Sequence, residues 1–179
     1  ISNYYKTPNK KKESRTDLFP LLCKKKKKKG YKMFFLGAAE GVAARAATNL
    51  KKRYSNLEVA GVYSPPFGFE ENEEEVEKIL QMIIKSNVDI LIVGLGAPKQ
   101  EKFIFKYHDR LNVPISLGLG ASLDFEAGNI KRAPKWMQKS GLEWLFRITQ
   151  DPRRMFKRYI IDDIKIIRLV RKYKIKNEA

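Results

Sequence analysis

The 179-residue sequence holds one cysteine, Cys23, and one histidine, His108. A single thiol excludes an internal disulfide. One Cys with one His also excludes the Cys- and His-rich sets that hold structural zinc. Cys23 lies in an apolar stretch ahead of a lysine run, so it reads as a small buried residue rather than a nucleophile. There is no Asp-x-Asp pair, so nothing calls for a divalent cation, and neither a metal nor another cofactor is expected. No apolar run approaches the roughly 20 residues that a membrane span needs. The opening stretch ISNYYKTPNKKK lacks the apolar centre of a secretory signal, which makes the cytoplasm the expected compartment.

Acidic residues are scarce at both ends. The formal net charge is +17, and residues 1–32 carry twelve Lys/Arg against two Asp/Glu. Residues 152–179 carry ten against three, whereas residues 33–151 are balanced at fifteen each. A neutral middle with basic ends suits a globular module that meets an anionic surface: lipid headgroups, nucleic acid or a polyphosphate. The length predicts one globular domain. Three segments are expected within it: a basic N-terminal stretch 1–30, a core 31–150, and a basic C-terminal appendage 151–179.

Four short apolar runs read as buried strands: YKMFFLG (31–37), LEVAGVY (57–63), VDILIVG (88–94) and VPISLGL (113–119). Between them EGVAARAATNLKKRY (40–54), NEEEVEKILQMIIKS (72–86) and PKQEKFIFKYHDRL (98–111) have helical length and spacing. Pro98 stands near a first helical turn, and TDLFPLLC reads as a further helix whose Pro20 also suits a first turn. Strand–helix alternation predicts an α/β fold, a Rossmann-like parallel sheet sandwiched by helices. Ligands of such sheets bind at the carboxyl ends of the strands.

Those ends are where unusual residues gather. FLGAAEGVAA places Gly37 and Gly41 in the first strand-to-helix turn, which reads either as a phosphate cradle or simply as a tight turn. YSPPFGFEENEEE puts Pro66 and Phe67 in a stiff loop, either a surface for stacking a ring or a rigid connection ahead of a capped helix. GLGAPKQEKF leaves the third strand through Gly94 and Gly96 and sets Lys99, Gln100 and Glu101 at a helix start. A linker needs only the turn, so the polar triplet points to a ligand. After the fourth strand, Asp124 and Glu126 are expected beside Lys131 and Arg132. The run of six lysines, 24–29, reads as a solvated segment ahead of specific recognition. From Pro152 onward a basic helix is expected, with Met155, Phe156, Tyr159, Ile160, Ile164, Ile167 and Val170 on one broad side. That side either packs on the domain or rests on an anionic bilayer.

Four stretches together resemble one family: VGLGAPKQEKFI, VYSPPFG, FFLGAAEGVAARAA and LGLGASLDFEAGNIKRAPKWMQKSGLEWLFRITQDPRRMFKRY. They are similar to the WecG/TagA/CpsF glycosyltransferases over about residues 15–172. The resemblance implies transfer of N-acetylmannosamine or a related hexose from a UDP donor to an undecaprenyl-diphosphate-linked acceptor. It implies an inverting enzyme of cell-surface polysaccharide or teichoic acid synthesis, peripheral on the inner face of a bacterial cell membrane. By the same resemblance Gln100 lies at the donor pocket and Asp124 near the reacting sugar. Thr7 and Asn9 in KTPN resemble an element lining the catalytic pocket, and Arg15 resembles the arginine ahead of the DLFP-like helix. Arg147 and Arg154 fall where the family carries arginines in an appendage over the active site, a position suited to a leaving diphosphate.

The sequence departs from that pattern at one place. The family carries a PDG loop, whose Asp is its favoured general base, between the TPN-like and DLFP-like elements. Here seven residues, KKKESRT (10–16), separate Asn9 from Asp17 and contain no such Asp. Asp124 could substitute as base, or the chain could bind the nucleotide and do little chemistry. The rival readings are thus a UDP-sugar-dependent glycosyltransferase, a non-catalytic UDP-sugar-binding module, and a nucleic-acid-binding protein. The last lacks a recognisable motif, so nucleic acid is not an expected partner. The expected partners are the donor, the lipid-linked acceptor and an anionic membrane, and the sequence permits an oligomer.

Overall fold

The computed structural model describes residues 15–24, 31–150 and 152. The chain divides into two compact units after Ile130. The first is an α/β sandwich. It runs α1 (Arg15–Lys24), β1 (Lys32–Gly37), α2 (Val42–Arg53), β2 (Glu58–Tyr63), α3 (Glu73–Ser86), β3 (Ile90–Gly94), α4 (Lys99–Leu111), β4 (Ile115–Gly118) and α5 (Ser122–Ala127). The four strands form one parallel sheet in the order β2-β1-β3-β4. Phe35 pairs with Val62 on one side and Ile92 on the other, and Ile92 pairs in turn with Leu117.

Alternation along the central strands builds two cores. Met33 and Phe35 of β1 with Ile90 and Ile92 of β3 face α1, α2 and α5, where they meet Phe19, Ala46, Leu50 and Leu123. Phe34, Leu36, Leu91 and Val93 face the opposite way, against Ile79, Leu80 and Ile83 of α3 and Phe103 of α4. Side chains alternate across a strand, so a continuous apolar run is what a strand buried on both faces requires. Fully burying a side chain such as Ile79, which is 0% exposed, contributes about 1.5–3 kcal/mol. Val76, Ile79, Leu80 and Ile83 recur at helical spacing and give α3 its buried stripe. Asn72 caps that helix by accepting a hydrogen bond from the Glu75 N–H at 3.1 Å, and Glu73, Glu74 and Glu75 complement its positive end.

The α/β expectation and all four strands are met, with two corrections of detail. Residues expected as buried strands at 57–63 and 113–119 form, among the described residues, the two edge strands of the sheet, each with one strand neighbour. Pro20 does not open its helix: α1 begins at Arg15 and carries Pro20 inside. The ring nitrogen there has no hydrogen to donate to the carbonyl four residues back, and the helix is held instead by Phe19. That side chain is 0% exposed and meets Phe35 edge-on at 5.5 Å between ring centroids. Cys23 is buried as expected, and burial pushes its thiol up to about 12. It stays protonated and unreactive at neutral pH.

The second unit, from Lys131, contains α6 (Lys135–Lys139) and α7 (Glu143–Gln150). Its described part is tied end to end by Gln150, whose Oε1 accepts from the Lys131 N–H at 2.9 Å. The same side chain donates from Nε2 to the Lys131 carbonyl at 2.8 Å. Thr7, Asn9, Arg154, most of the lysine run and the expected basic helix beyond Pro152 lie outside the described residues.

Candidate functional site

The strand order fixes where the site lies. From β1 the chain crosses through α2 to β2 on one side, and from β3 it crosses through α4 to β4 on the other. Between β1 and β3 the two crossovers diverge, which makes the carboxyl ends of these two strands the switch point where ligands of open α/β sheets usually bind. Gly37 ends β1 and Gly94 ends β3 there, paired in register.

The turns meet there backbone to backbone. Gly37 has φ +107°, and a Cβ at this position would stand 2.6 Å from the Gly94 carbonyl carbon and 2.8 Å from its oxygen. The Ala38 N–H donates to the Gly94 carbonyl at 3.0 Å, with Ala38 itself at φ +61°. Gly41 follows at φ +74° as the residue before α2. Ser64, just beyond β2, turns its Oγ onto the same loop, 3.3 Å from the Gly37 carbonyl and 3.2 Å from that of Ala39. The loops after β1, β2 and β3 are therefore knit together, and Gly96 (φ +80°) and Pro98 carry the third of them into α4.

The loop after β2 presents Pro66 and a fully solvent-exposed Phe67. The Lys99 ammonium lies over that ring, 4.8 Å from its centroid, and is hydrogen-bonded to Glu70. The bond from Lys99 holds the Glu70 carboxyl below its ordinary range and keeps it ionised. Lys99, expected to meet the ligand directly, thus rests between a carboxylate and an aromatic face. Deeper, Tyr63 donates to Glu75, and Lys78 donates to the Tyr63 hydroxyl at 2.6 Å. These contacts fix the end of β2 and hold the Glu75 carboxyl low, with the tyrosine bond the larger cause.

Gln100 is not the polar rim residue its sequence context implies. It is 0% exposed, with Nε2 donating to Glu101 at 2.8 Å and Oε1 accepting from the Gly120 N–H at 3.0 Å. Helix α4 turns residue 100 toward the sheet and residue 101 toward solvent, which the string PKQE does not reveal. Glu101 instead helps line an open groove of about 530 Å³ with Ile104, Phe105, His108 and Gly118. The spacing of 101, 104, 105 and 108 along one helix face was the readable sign of that groove.

Asp124 is partly exposed in the first turn of α5, immediately after the glycine turn that leaves β4. Glu126 is not part of this cluster. Its carboxylate takes a hydrogen bond from Arg53 at 2.9 Å, at the last residue of α2 and so toward the amino ends of the strands. Two residues on, the helix has turned Glu126 away from Asp124. Arg15 and Arg147 lie on α1 and α7, without a described side chain. Sequence reasoning missed Ser64, Gly118 and Gly120, although the repeated LGLG at the end of the fourth strand was a signal. Among the described residues no three His, Cys, Asp or Glu side chains are grouped to hold a metal ion, and no helix is long and apolar enough to cross a membrane.

A model of the glycosyl transferase WecG/TagA/CpsF family matches residues 1–179. Among curated proteins the sequence is similar to enzymes named N-acetylglucosaminyldiphosphoundecaprenol N-acetyl-beta-D-mannosaminyltransferase. That of Bacillus subtilis (strain 168) is 37% identical over 138 residues, 77% of this chain and 52% of the relative. That of Bacillus spizizenii is 38% identical over 138 residues, 77% of this chain and 51% of the relative. The Staphylococcus aureus (strain MW2) protein is 33% identical over 124 residues, 69% of this chain and 46% of the relative. The chain spans about half the length of the curated relatives it matches.

Proposed function

The chain belongs to the WecG/TagA/CpsF glycosyl transferase family, and on that basis we propose that its α/β unit binds a UDP-sugar at the carboxyl ends of the strands. The donor carries N-acetylmannosamine or a related hexose, and the sugar passes with inversion to a polyprenyl-diphosphate-linked acceptor in cell-surface polysaccharide or teichoic acid synthesis. The relatives' names support the acceptor and the sugar. The observation that carries the reading is the switch point between β1 and β3, where the backbones of Gly37 and Gly94 meet in register, with Phe67 on the loop after β2 and Lys99 at the start of α4. Bare backbone at a switch point admits a diphosphate closely, and a ring at the mouth suits the rest of the nucleotide.

In transfer, the acceptor hydroxyl loses its proton to a carboxylate as its oxygen bonds to the anomeric carbon. The bond from that carbon to the UDP oxygen breaks, and UDP leaves with the developing negative charge. Asp124 is the carboxylate we assign to the proton. Calorimetry with UDP tests the site: binding at submillimolar to millimolar ligand is expected. No heat and no UDP-dependent thermal shift would reject it. A second reading, a module that binds the donor without transferring the sugar, is favoured by the seven residues between Asn9 and Asp17, which contain no Asp.

We place the protein on the inner face of the membrane through its basic C-terminal stretch, +7 over residues 152–179. Each cation near an anionic surface contributes about 1 kcal/mol, and salt weakens that attraction. Sedimentation with anionic vesicles, falling as salt rises and lost when residues 153–179 are removed, is the expected result. Equal sedimentation of the shortened chain would rule this placement out.

A further inference from the structure

We infer that Gln100 is a positioning residue: without touching the donor, it sets the turn from β4 into α5, which packs on Gly94 of the proposed donor site, where an added Cβ would stand 3.1 Å from the Gly120 carbonyl oxygen. This rests on the nucleotide reading above and deepens it. The geometry is specific. Gln100 is wholly buried, yet it comes from the solvent-flanked start of α4, and both ends of its amide are used. Oε1 accepts from the Gly120 N–H, and Nε2 is held by Glu101, which fixes the amide's orientation. The neighbouring strand residue is shaped for it. A Cβ on Gly118 would stand 3.1 Å from Gln100 Nε2, 3.2 Å from Cδ and 3.3 Å from Cγ. An added Cβ at 118 would therefore make the Gln100 side chain give by a few tenths of an ångström.

The bond matters because of what it holds. Beyond β4 the backbone leaves the sheet at Leu119, whose N–H still reaches the Val93 carbonyl at 2.9 Å. The next N–H, at Gly120 (φ +56°), has no strand partner and is taken by Gln100 instead. Two residues later α5 starts, with Leu123 locked at 0% exposure and Asp124 beside it. A buried N–H without a partner is costly, so removing the amide favours other turn conformations. The apparent dissociation constant rises as the competent fraction falls.

The test uses two unlike substitutions in the full chain, Gln100→Met and Gly118→Ala. Methionine keeps most of the volume and removes both polar groups. Alanine leaves Gln100 intact but pushes it aside. Amide hydrogen exchange at Gly120 reads the bond, and UDP calorimetry well below the melting temperature reads the site. Both variants should lose protection at Gly120 and bind UDP about 5- to 10-fold more weakly, the loss expected for one net hydrogen bond. Unchanged exchange at Gly120 in Gln100→Met overturns the inference. So does faster exchange with unchanged UDP affinity, which would make the bond structural only. If the unaltered chain binds no UDP, the nucleotide reading fails, and positioning of that site fails with it. The exchange data would then report separately whether the bond exists.

Discussion

Gly37→Ala is expected to cost about 2–6 kcal/mol of stability, combining backbone strain and overpacking, and to abolish UDP binding. Two independent penalties coincide at this position. The residue sits at φ +107°, where an L side chain is strained. The added carbon would also fall 2.6 Å from the Gly94 carbonyl carbon, and this neighbour is backbone in a fully paired central strand, with no rotamer to yield. Relief requires β1 and β3 to part at their carboxyl ends, which would break the Ala38-to-Gly94 hydrogen bond of 3.0 Å. Domains of this size are stable by only about 5–15 kcal/mol, so the loss should appear as a large drop in the denaturant midpoint. A Gly37→Ala protein with unchanged midpoint and unchanged UDP affinity would mean that the strand ends are not arranged as described.

Asp124→Asn is expected to lower sugar transfer about 10²–10⁴-fold, the usual contribution of a positioned general base, while leaving UDP affinity nearly unchanged. Asparagine keeps the shape but cannot take a proton. Asp124 follows the Gly120 turn at the strand ends, and the Asp of the family's PDG loop has no counterpart between Asn9 and Asp17. Transfer from UDP-N-acetylmannosamine to a short polyprenyl-diphosphate-linked GlcNAc, with UDP release followed in parallel, is the measurement. Equal turnover of the variant and the unaltered chain would remove Asp124 from the proton step. An unaltered chain that binds UDP and makes no product would instead establish the donor-binding module.

Much of the first unit was legible because its signals are local. Apolar runs of strand length, the acidic first turn at Glu73–Glu75 and the Asn72 cap each act within a few residues. Glycines at strand ends marked Gly37, Gly94 and Gly96 as turn residues for the same reason. The family motifs PKQE and LDFEAG were readable as strings, and the family model matches the whole chain. What those strings could not give was direction. PKQE contains one residue turned fully inward and one turned out, because a helix rotates by about 100° per residue. LDFEAG likewise sends Asp124 and Glu126 different ways, and Glu126 ends beside Arg53.

The sequence by itself determined the parallel α/β class, the strands, the helices between them and the glycine-rich turns, since each follows from short-range periodicity and backbone preference. Only the tertiary structure decided the strand order β2-β1-β3-β4, and with it the switch point between β1 and β3. It alone decided that Gly37 touches Gly94, 57 positions away in the chain, and that Gln100 is a buried clasp on Gly120 rather than a rim contact. The physical reason is that strand order and side-chain direction come from packing two apolar faces of one sheet at once. That is a constraint among distant residues, and no single stretch of sequence contains it.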